Sequence, residues 1–593
     1  MSKQTAQRFL GIVVAATLVF CASFGCGPTA TRGDRDGGPD ADLNNNNENN
    51  VPVDAAPHVL SSITVSPIND ILEVDLNAPG EQAFTASGGY LDGVTKDLTD
   101  EVTWTSSNPE LGSFSGNTLE IPPLDTAGAH VTVITAALDG IEGKAQLTVM
   151  AYRMTGEQTD FFFILPYEDP DGEKEKPLDF STDVQSLDLF FAMDTTGSMY
   201  GSISNLQSSL NILSVDIQNQ IPDTWFGVGA VEDFPVSPYG ATNCNGWGPD
   251  QPFKLRQAMT DDLTLIQAGV DSLSIGSSPA GCGADWPESH IEALYQIATG
   301  EGLSGPGLTN VPPNNQGVGG VEFREDSMPV VALITDALSH TPDEDNTSCY
   351  GIQARYSGEV AAVAHTRQEA KDALDLICAR VVGVAAIISA YPTVCLGLYD
   401  QEDFARHTGA MVPPEAWDVP QRPHNCAAGL CCTDINGAGR QPDPDGLCPL
   451  VFKVNDSGVG LGDSMVNGIE MLTRYAAFDV YTVKEGVTTG IEGEPLPDGR
   501  TTADFIKAII PDSFQKPPPP PDLPDPTMDD QFFYGVTPGT VVSFNVTAYN
   551  DFLEGSEKPQ MFRAVIRVLA GGCTPLDERE VFILVPPNPL IVN

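Results

Sequence analysis

From about residue 186 the chain alternates short, continuously apolar runs with stretches that are apolar on one helical face only. Four runs, "LDLFFAM", "FGVGAVED", "MPVVALITDA" and "RVVGVAAIIS", have the length of buried strands. Between the first two, apolar residues recur at spacings of three and four from Ile203 to Ile217, which is typical of one helix face. This alternation predicts a doubly wound, Rossmann-like α/β domain with a parallel sheet over residues 186–485.

The segments on either side follow different patterns. Residues 58–150 contain about seven short runs rich in Val, Ile and Thr, which predict an all-β immunoglobulin-like sandwich with Trp104 in its core. The apolar run "DFFFILPY" lies in a β segment, 151–185. We expect it to pair with a C-terminal β domain, 531–593, so that the α/β domain is inserted in a second β-sandwich. Residues 486–530, with "KPPPPPDLPDP", are interpreted as a proline-rich linker.

The N-terminus has the pattern of an export signal over residues 1–26. Lys3 and Arg8 precede the apolar run "LGIVVAATLVFCASF", which is too short for a convincing membrane span. Cys26 follows the small residue Gly25, so the segment resembles a lipoprotein signal with Cys26 as the lipidated residue. The alternative is a plain secretory peptide cleaved nearby. Residues 27–57 are nearly devoid of apolar side chains and predict a disordered tether. No second long apolar segment occurs, so we expect attachment to the membrane by lipid alone, at the outer membrane or cell surface.

Charge and cysteine content narrow the functional classes. The formal net charge is −52, which disfavours binding to nucleic acid and suits divalent cations. Ten cysteines remain after Cys21 and Cys26, an even number that indicates disulfides in an exported chain. The neighbours Cys431 and Cys432 are expected to pair with different partners. No pair has the CxxC spacing of a zinc site.

Acidic and hydroxyl side chains follow several predicted strands. They are Asp194, Thr196 and Ser198 in "DTTGS", Asp233 in "EDFP", Asp285 and Glu288 in "GADWPE", and Asp336 in "TDALSH". In a doubly wound sheet, ligands collect at the carboxyl ends of the strands. Carboxylates crowded at one edge repel each other unless a cation lies among them, and Mg²⁺ or Mn²⁺ prefers such oxygen ligands.

These motifs resemble those of von Willebrand factor A domains, whose metal-ion-dependent adhesion site begins Asp-x-Ser-x-Ser. "FGVGAVEDFPVSPYG", "DWPE" and "TDALSH" are most similar to the A-like domain of integrin beta subunits. The resemblance implies a metal shell of five residues, namely Asp194, Thr196, Ser198, Glu288 and Asp336. It also implies a second cation near Asp233, Asp285 and Glu288, although Gly283 stands where the family has Asn. "YGS" replaces the acids of the adjacent inhibitory site, which we expect to be absent. A Cys244–Cys282 bridge would close the family's specificity loop.

The segment before this domain resembles the bacterial immunoglobulin-like (Big) domains of surface proteins. The resemblance rests on "ITVSP", "FTASGGYLDG", "DLTDEVTWTSSNP" and "GKAQLTV". It implies a spacer that holds the α/β domain away from the membrane.

Simpler interpretations stand beside these. "DTTGSM" alone is compatible with a helix N-cap turn, and His290 and His340 are interpreted as surface or capping residues. Residues 433–446 hint at a Ca²⁺ loop, but Ala438 interrupts the ligand spacing, so an acidic loop is favoured. No catalytic-serine elbow, P-loop or HExxH motif occurs, so we expect no enzyme.

Three functional hypotheses follow. In the first, the cation binds an acidic side chain of a partner protein, as in adhesion. In the second, the cation only stabilises the fold of an envelope protein. In the third, the metal activates water in a hydrolase.

Overall fold

The computed structural model of the protein describes residues 58–154, 159–244, 248–305, 310–344, 354–391 and 395–589. The predicted signal segment with Cys26 and the predicted tether, 27–57, lie outside these ranges. The described chain is rich in β-structure and is built from several sheets. None of its helices combines the length and apolarity that a membrane crossing requires.

Ten strands come first, up to residue 152, and they pack around one apolar core. Trp104 is half-buried at this core, with its ring 6.1 Å from that of Phe84 and 5.8 Å from that of Phe114. The sheet orders are β1-β4-β5, β2-β10-β9-β6 and β3-β8-β7. The strands are β1 Leu60–Ser66, β2 Asn69–Asp75, β3 Gly80–Ala83, β4 Thr85–Tyr90, β5 Thr95–Asp97, β6 Thr103–Ser106, β7 Ser113–Ser115, β8 Thr118–Ile121, β9 Gly128–Leu138 and β10 Ile141–Tyr152.

Two further strands, β11 Phe161–Ile164 and β12 Lys174–Ser181, precede the α/β region. The apolar run "DFFFILPY" contains β11, whose sheet partners lie at the other end of the chain.

A six-stranded sheet forms the centre of the α/β region, in the order β15-β14-β13-β18-β19-β24. The strands are parallel except β15, which runs antiparallel at one edge. Six short strands in the loops of this region pair as three small two-stranded sheets. The strands of the region are β13 Ser186–Asp194, β14 Asp223–Val231, β15 Lys254–Thr260, β16 Ser274–Ile275, β17 Ser278–Pro279, β18 Met328–Thr335, β19 Arg380–Ile387, β20 Met411–Val412, β21 Cys431–Asp434, β22 Ala438–Arg440, β23 Cys448–Pro449 and β24 Val451–Asn455.

Helices cover both faces of this sheet. Their bounds are α1 Tyr200–Gln218, α2 Leu263–Asp271, α3 His290–Thr299, α4 Gly358–Ala361, α5 Arg367–Leu376, α6 Leu398–His407 and α7 Leu461–Tyr475. Side chains of β13 alternate between two cores, because successive strand residues point to opposite faces. Leu187, Leu189, Phe191 and Met193 pack with α1, α2 and α7, whereas Phe190 and Ala192 pack with α3 and α5.

The remaining strands form two sheets around a third core, together with β11 and β12. Their orders are β11-β31-β30-β25-β28-β27 and β12-β29-β26. β11 pairs in parallel with β31, and β12 pairs antiparallel with β29. The strands are β25 Phe478–Gly486, β26 Ile506–Gln515, β27 Thr527–Met528, β28 Phe533–Val536, β29 Val541–Ala548, β30 Gln560–Ala570 and β31 Thr574–Val585.

Two sequence-based boundaries are wrong in this region. Residues 478–485, assigned to the α/β domain, belong to β25, which pairs with β30 and β28. The predicted linker 486–530 contains β26, which pairs with β29 along its length. Pro511 is tolerated in β26 because the register shifts between Pro511 and Ser513, as expected for proline at a bulge.

Candidate metal centre

The predicted metal ligands lie at the carboxyl edge of the central sheet. β13 pairs in parallel with β14 and with β18, so Asp194 lies opposite Val231 and the residue after Thr335 lies at the same edge. Glu288 reaches this edge through an isolated parallel bridge to Ser339, in which its N–H donates to the Leu338 carbonyl at 3.0 Å. The sheet thus brings together loops that are far apart in sequence.

Asp194 is held by hydroxyl and amide donors on both of its oxygens. Its Oδ1 accepts from the Thr196 N–H at 2.9 Å and from Thr196 Oγ1 at 2.7 Å. Its Oδ2 accepts from Thr335 Oγ1 at 2.7 Å. Burial raises the pKa of Asp194, and these hydrogen bonds only partly oppose that rise. Thr335, which the sequence interpretation did not single out, therefore positions the first acid of the motif.

Ser198 and Asp336 join the loop after β13 to the loop after β18. Ser198 Oγ donates to Asp336 Oδ1 at 3.1 Å. Ser198 is exposed, whereas Asp194, Thr196 and Asp336 are buried. The carboxylates therefore lie beneath a hydroxyl group that reaches the surface.

Glu288 lies against Thr196 and the Gly283 backbone. A Cβ on Gly283 would lie 2.9 Å from Glu288 Oε1 and 3.4 Å from Thr196 Cγ2. Glu288 Oε2 is buried and has no hydrogen-bond partner. Burial, followed by the charges of Asp194 and Asp233, raises the pKa of Glu288 well above its ordinary value.

Asp336 shows the same crowding of carboxylates. Burial, and then the charge of Asp194, raise its pKa to about 7. Three carboxyl groups thus resist ionisation at one edge of the sheet, and a divalent cation would remove this penalty. The donor set of carboxylates and hydroxyls, with the orphan Glu288 Oε2, fits Mg²⁺ or Mn²⁺.

A second group of possible metal ligands consists of Asp233, Asp285 and His340. The three ligand atoms lie within 4.8 Å of one another, the one such trio found in the described ranges. Burial raises the pKa of Asp233 to about 6, against the opposing effect of the nearby His340. The interpretation of His340 as a surface or capping residue is wrong, because its side chain is fully buried beside two acids.

His290 is also a buried residue, contrary to the interpretation from sequence. Its Nε2 lies 3.3 Å from Asp400 Oδ2, beneath the site. Asp400 in turn accepts from the Ser339 N–H at 2.7 Å and pairs with Arg367 at 2.6 Å. This network supports the loop that carries Ser339. Nothing local in the sequence marks it, because Asp400 comes from α6, more than a hundred residues after His290.

Asp250 is a second residue that sequence reasoning missed. It is buried, and its carboxylate accepts from the N–H groups of Ala241, Cys282 and Gly283 at 2.7, 3.0 and 3.1 Å. It therefore holds the loop that leads to Asp285 and Glu288. An Asp in the irregular segment "NGWGPDQPFK" was the available signal.

One disulfide braces the loop that leads to Asp285 and Glu288, and others lie elsewhere in the described chain. The Cys244–Cys282 bridge expected from the integrin resemblance is present, with Cα atoms 5.5 Å apart. Cys431 pairs with Cys448 and Cys432 with Cys426, which confirms that the two neighbours have different partners. A further bridge joins Cys378 to Cys573, and Cys395 is also disulfide-bonded.

The segment 433–446 begins as a hairpin of β21 and β22, in which the Asp434 side chain accepts from the Ile435 N–H.

Comparisons with known proteins give structural neighbours only. No family model and no curated protein matches the chain. The solved structures that are similar include the pilus adhesin SpaC from Lactobacillus rhamnosus GG in its open conformation, at 10% identity and a TM-score of 0.26. This match covers 77% of this chain and 52% of the adhesin. A second SpaC crystal form matches at 10% identity and a TM-score of 0.27, over 77% and 53% of the two chains.

A von Willebrand factor type A protein from Catenulispora acidiphila is similar at 10% identity and a TM-score of 0.25, over 73% of this chain and 76% of that one. The chain spans about half the length of the adhesin that it matches. At these scores the likeness carries no argument about the chemistry of the site.

Proposed function

We propose that this protein is a cell-envelope binding protein that holds a divalent cation at Asp194, Thr196, Ser198, Glu288 and Asp336. The cation, Mg²⁺ or Mn²⁺, offers an acidic side chain of a partner protein an open coordination position. The observation that carries the proposal is the buried Glu288 Oε2, which lacks a hydrogen-bond donor beside Asp194 and Thr196. A buried carboxylate oxygen without a donor is costly unless a cation compensates for it.

The chain's own residues have separate roles in this proposal. Thr196 and Thr335 fix the orientation of Asp194, and Ser198 fixes that of Asp336. Ser198 is exposed, so the partner would approach from its side. Hydroxyl ligands leave the cation less neutralised than carboxylates do, which strengthens its attraction for an incoming acid. The chain's net charge of −52 repels a partner's carboxylate. Only a bound cation would attract that carboxylate to the site.

The finer architecture belongs to the same proposal. The first ten strands would form an immunoglobulin-like spacer, and the central sheet with its helices a von Willebrand A-like domain inserted in a second β-sandwich. The pairing of β11 with β31, on the two sides of the α/β region, supports the insertion. Lipidation at Cys26 and the tether 27–57 would place the site outside the membrane.

Metal-dependent stability tests the site first. We expect Mg²⁺, Mn²⁺ or Ca²⁺ to raise the melting temperature above that in EDTA. Metal at about a hundred times its dissociation constant adds about 2.7 kcal/mol. The shift should disappear in Asp194→Ala and persist in Asp216→Ala, which removes an exposed acid from α1. A folded wild type that shows no shift and takes up no metal in titration calorimetry would overturn the proposal.

Partner capture then separates the three hypotheses. Capture of an envelope protein that is lost with EDTA and in Asp194→Ala supports adhesion through the cation. A stabilising metal without any captured partner supports a structural ion. Turnover of a hydrolase substrate that Asp194→Ala abolishes would show an enzyme and contradict our expectation of none.

A further inference from the structure

Arg256 is a half-buried arginine of β15 whose Nε has no hydrogen-bond partner among the described residues. Burial lowers the pKa of Arg256, and the nearby charge of Glu232 opposes that effect. Other arginines of the α/β region pair with acids, as Arg324 does with Asp188 at 2.7 Å. A buried charged donor without an acceptor is costly. An anion from outside the described chain would remove this cost.

A β-bulge sets the direction of the Arg256 side chain. In the pairing of β14 with β15, Gly229 lies opposite Leu255. The preceding residue of β14, Val228, lies opposite Gln257. Arg256 is therefore an extra residue between two paired positions, and it lies opposite no residue of β14. Bulges interrupt the regular alternation of side chains and re-aim one of them, often beside a functional site.

Arg256 lines a cavity of about 510 Å³ at the edge of the central sheet. The other walls come from the end of α3 and from residues 311–314. Hydrogen bonds hold these walls together, since the Asn314 N–H donates to the Gly300 carbonyl at 2.9 Å and Asn314 Nδ2 donates to the Gly320 carbonyl at 3.1 Å. The volume is in the range of small-molecule sites. The cavity is therefore preformed and large enough for an organic ligand.

The charges around the cavity favour a ligand with one negative charge. Lys254 also lines the cavity, but its Nζ is already paired with the buried carboxylate of Glu232. The same Nζ donates to the Pro249 carbonyl at 3.2 Å. Lys254 and Glu232 balance each other, which leaves the single positive charge of Arg256. A planar guanidinium group matches a carboxylate through two parallel hydrogen bonds.

Apolar side chains supply much of the remaining cavity wall. They are Phe253, Leu255, Val311, Pro312 and Pro313. We propose that this cavity binds an organic carboxylate with an apolar or aromatic body, whose carboxylate is held by Arg256. None of the five proposed metal ligands is among the lining residues of the cavity. This inference goes beyond the proposed function and does not depend on it.

Binding of 2-naphthoate to the full chain in EDTA tests the assignment. EDTA removes divalent cations, so the carboxylate of the probe cannot be bound through a metal ion. Titration followed by the fluorescence of the probe should show saturable binding at one site in the wild type. The neutral 2-naphthamide should bind at least tenfold more weakly, because it lacks the charge that pairs with Arg256. Arg256→Gln should lower the affinity for 2-naphthoate at least tenfold.

Two control variants make the result specific. Arg563→Gln removes an exposed arginine of β30 that pairs with Glu580, and it should bind 2-naphthoate as the wild type does. Asp194→Ala removes the first acid of the proposed cation site and should also leave the affinity unchanged.

Stability without any ligand gives a second test of Arg256. Replacing a buried charge that lacks a partner with an apolar side chain is expected to be neutral or stabilising. Arg256→Met should therefore keep or raise the melting temperature. Arg324→Met, which leaves the buried Asp188 without its partner, should lower the melting temperature.

A folded wild type that does not bind 2-naphthoate in EDTA would overturn the inference. Unchanged affinity in Arg256→Gln, or equal affinity for 2-naphthamide, would also overturn it. A loss of stability in Arg256→Met as large as that in Arg324→Met would show that Arg256 is a structural residue and would have the same consequence. None of these results bears on the Mg²⁺-dependent stability that tests the proposed function.

Discussion

Asp336 is buried beside Asp194, and burial together with that neighbouring charge raises its pKa to about 7. A carboxyl group with a raised pKa keeps its proton in the folded chain after the unfolded chain has lost it. Its contribution to stability is therefore greatest at low pH and falls as the pH rises from about 4 to about 7. The slope for one group is at most about 1.4 kcal/mol per pH unit.

We predict that, in EDTA, the stability of wild type relative to Asp336→Asn falls between pH 4 and pH 7. We also predict that Mg²⁺ raises the melting temperature more at pH 8 than at pH 5, because protons compete for the carboxylates at low pH. Thermal melts across this range measure both effects. A Mg²⁺ shift that is equal at the two pH values would contradict the placement of Asp336 in the site.

Gly283 adopts φ of +64°, where only glycine is unstrained, and its missing Cβ leaves space for Glu288. We predict that Gly283→Ala weakens Mg²⁺ binding at least tenfold, since the new methyl group would push against Glu288 Oε1. Gly276 has φ of +62° with nothing near its Cβ, so Gly276→Ala carries the same backbone strain, about 1 kcal/mol, without the contact. Titration calorimetry should find Mg²⁺ affinity unchanged in the Gly276 variant. Equal affinities in the two variants would count against the role of Glu288.

The closeness of Asp194, Thr196 and Ser198 could be predicted because the three residues share one loop. His340 could not, because its burial depends on Tyr239 and Tyr356, which lie on separate segments of the chain. A histidine four residues after Asp336 has no local pattern that separates a ligand from a capping residue. The same holds for His290, whose partner Asp400 comes from another helix.

At the scale of elements, helix α1 begins directly after the Ser198 loop and rests on the sheet through its apolar face. Leu206 is fully buried in this contact, whereas Ile212 on the same helix is 68% exposed. We predict that Leu206→Ala costs about 2–5 kcal/mol, because it leaves a cavity. Ile212→Ala should change stability by less than about 0.5 kcal/mol. Thermal or urea unfolding of the two variants measures the difference, and similar losses would contradict the packing of α1.

Elements with a strong local pattern were predictable, and those that depend on distant partners were not. The run "LDLFFAM" lies within β13, and the spacing from Ile203 to Ile217 matches the buried face of α1. β26 was hidden by Pro511 and by the prolines that follow it. β25 was assigned to the preceding domain because its partner β30 comes some eighty residues later. Pairing across such separations leaves no mark on the strand itself.

At the scale of the whole molecule, the Cys378–Cys573 disulfide links residues 195 positions apart. In the chain-entropy view, a loop of this length stabilises the fold by about 5 kcal/mol. The Cys426–Cys432 bridge closes a loop of only 6, which corresponds to about 2 kcal/mol. We predict that the double serine variant of the long bridge lowers the melting temperature more than that of the short bridge. Calorimetry measures both, and the reverse order would show that local contacts outweigh loop entropy here.

The Cys378–Cys573 disulfide also limits how the α/β region can move relative to the C-terminal sheets. Chain connections before β13 and after α7 join it to the C-terminal sheets, and two attachments alone would form a hinge. Cys378 precedes β19, two strands from β13 and so about 10 Å away within the sheet, while α7 packs on a face of that sheet. The three anchors are not collinear, so no axis remains about which the region can swing. A force applied at the carboxyl edge of the central sheet is then shared by three attachments, and it does not rotate the region about a hinge.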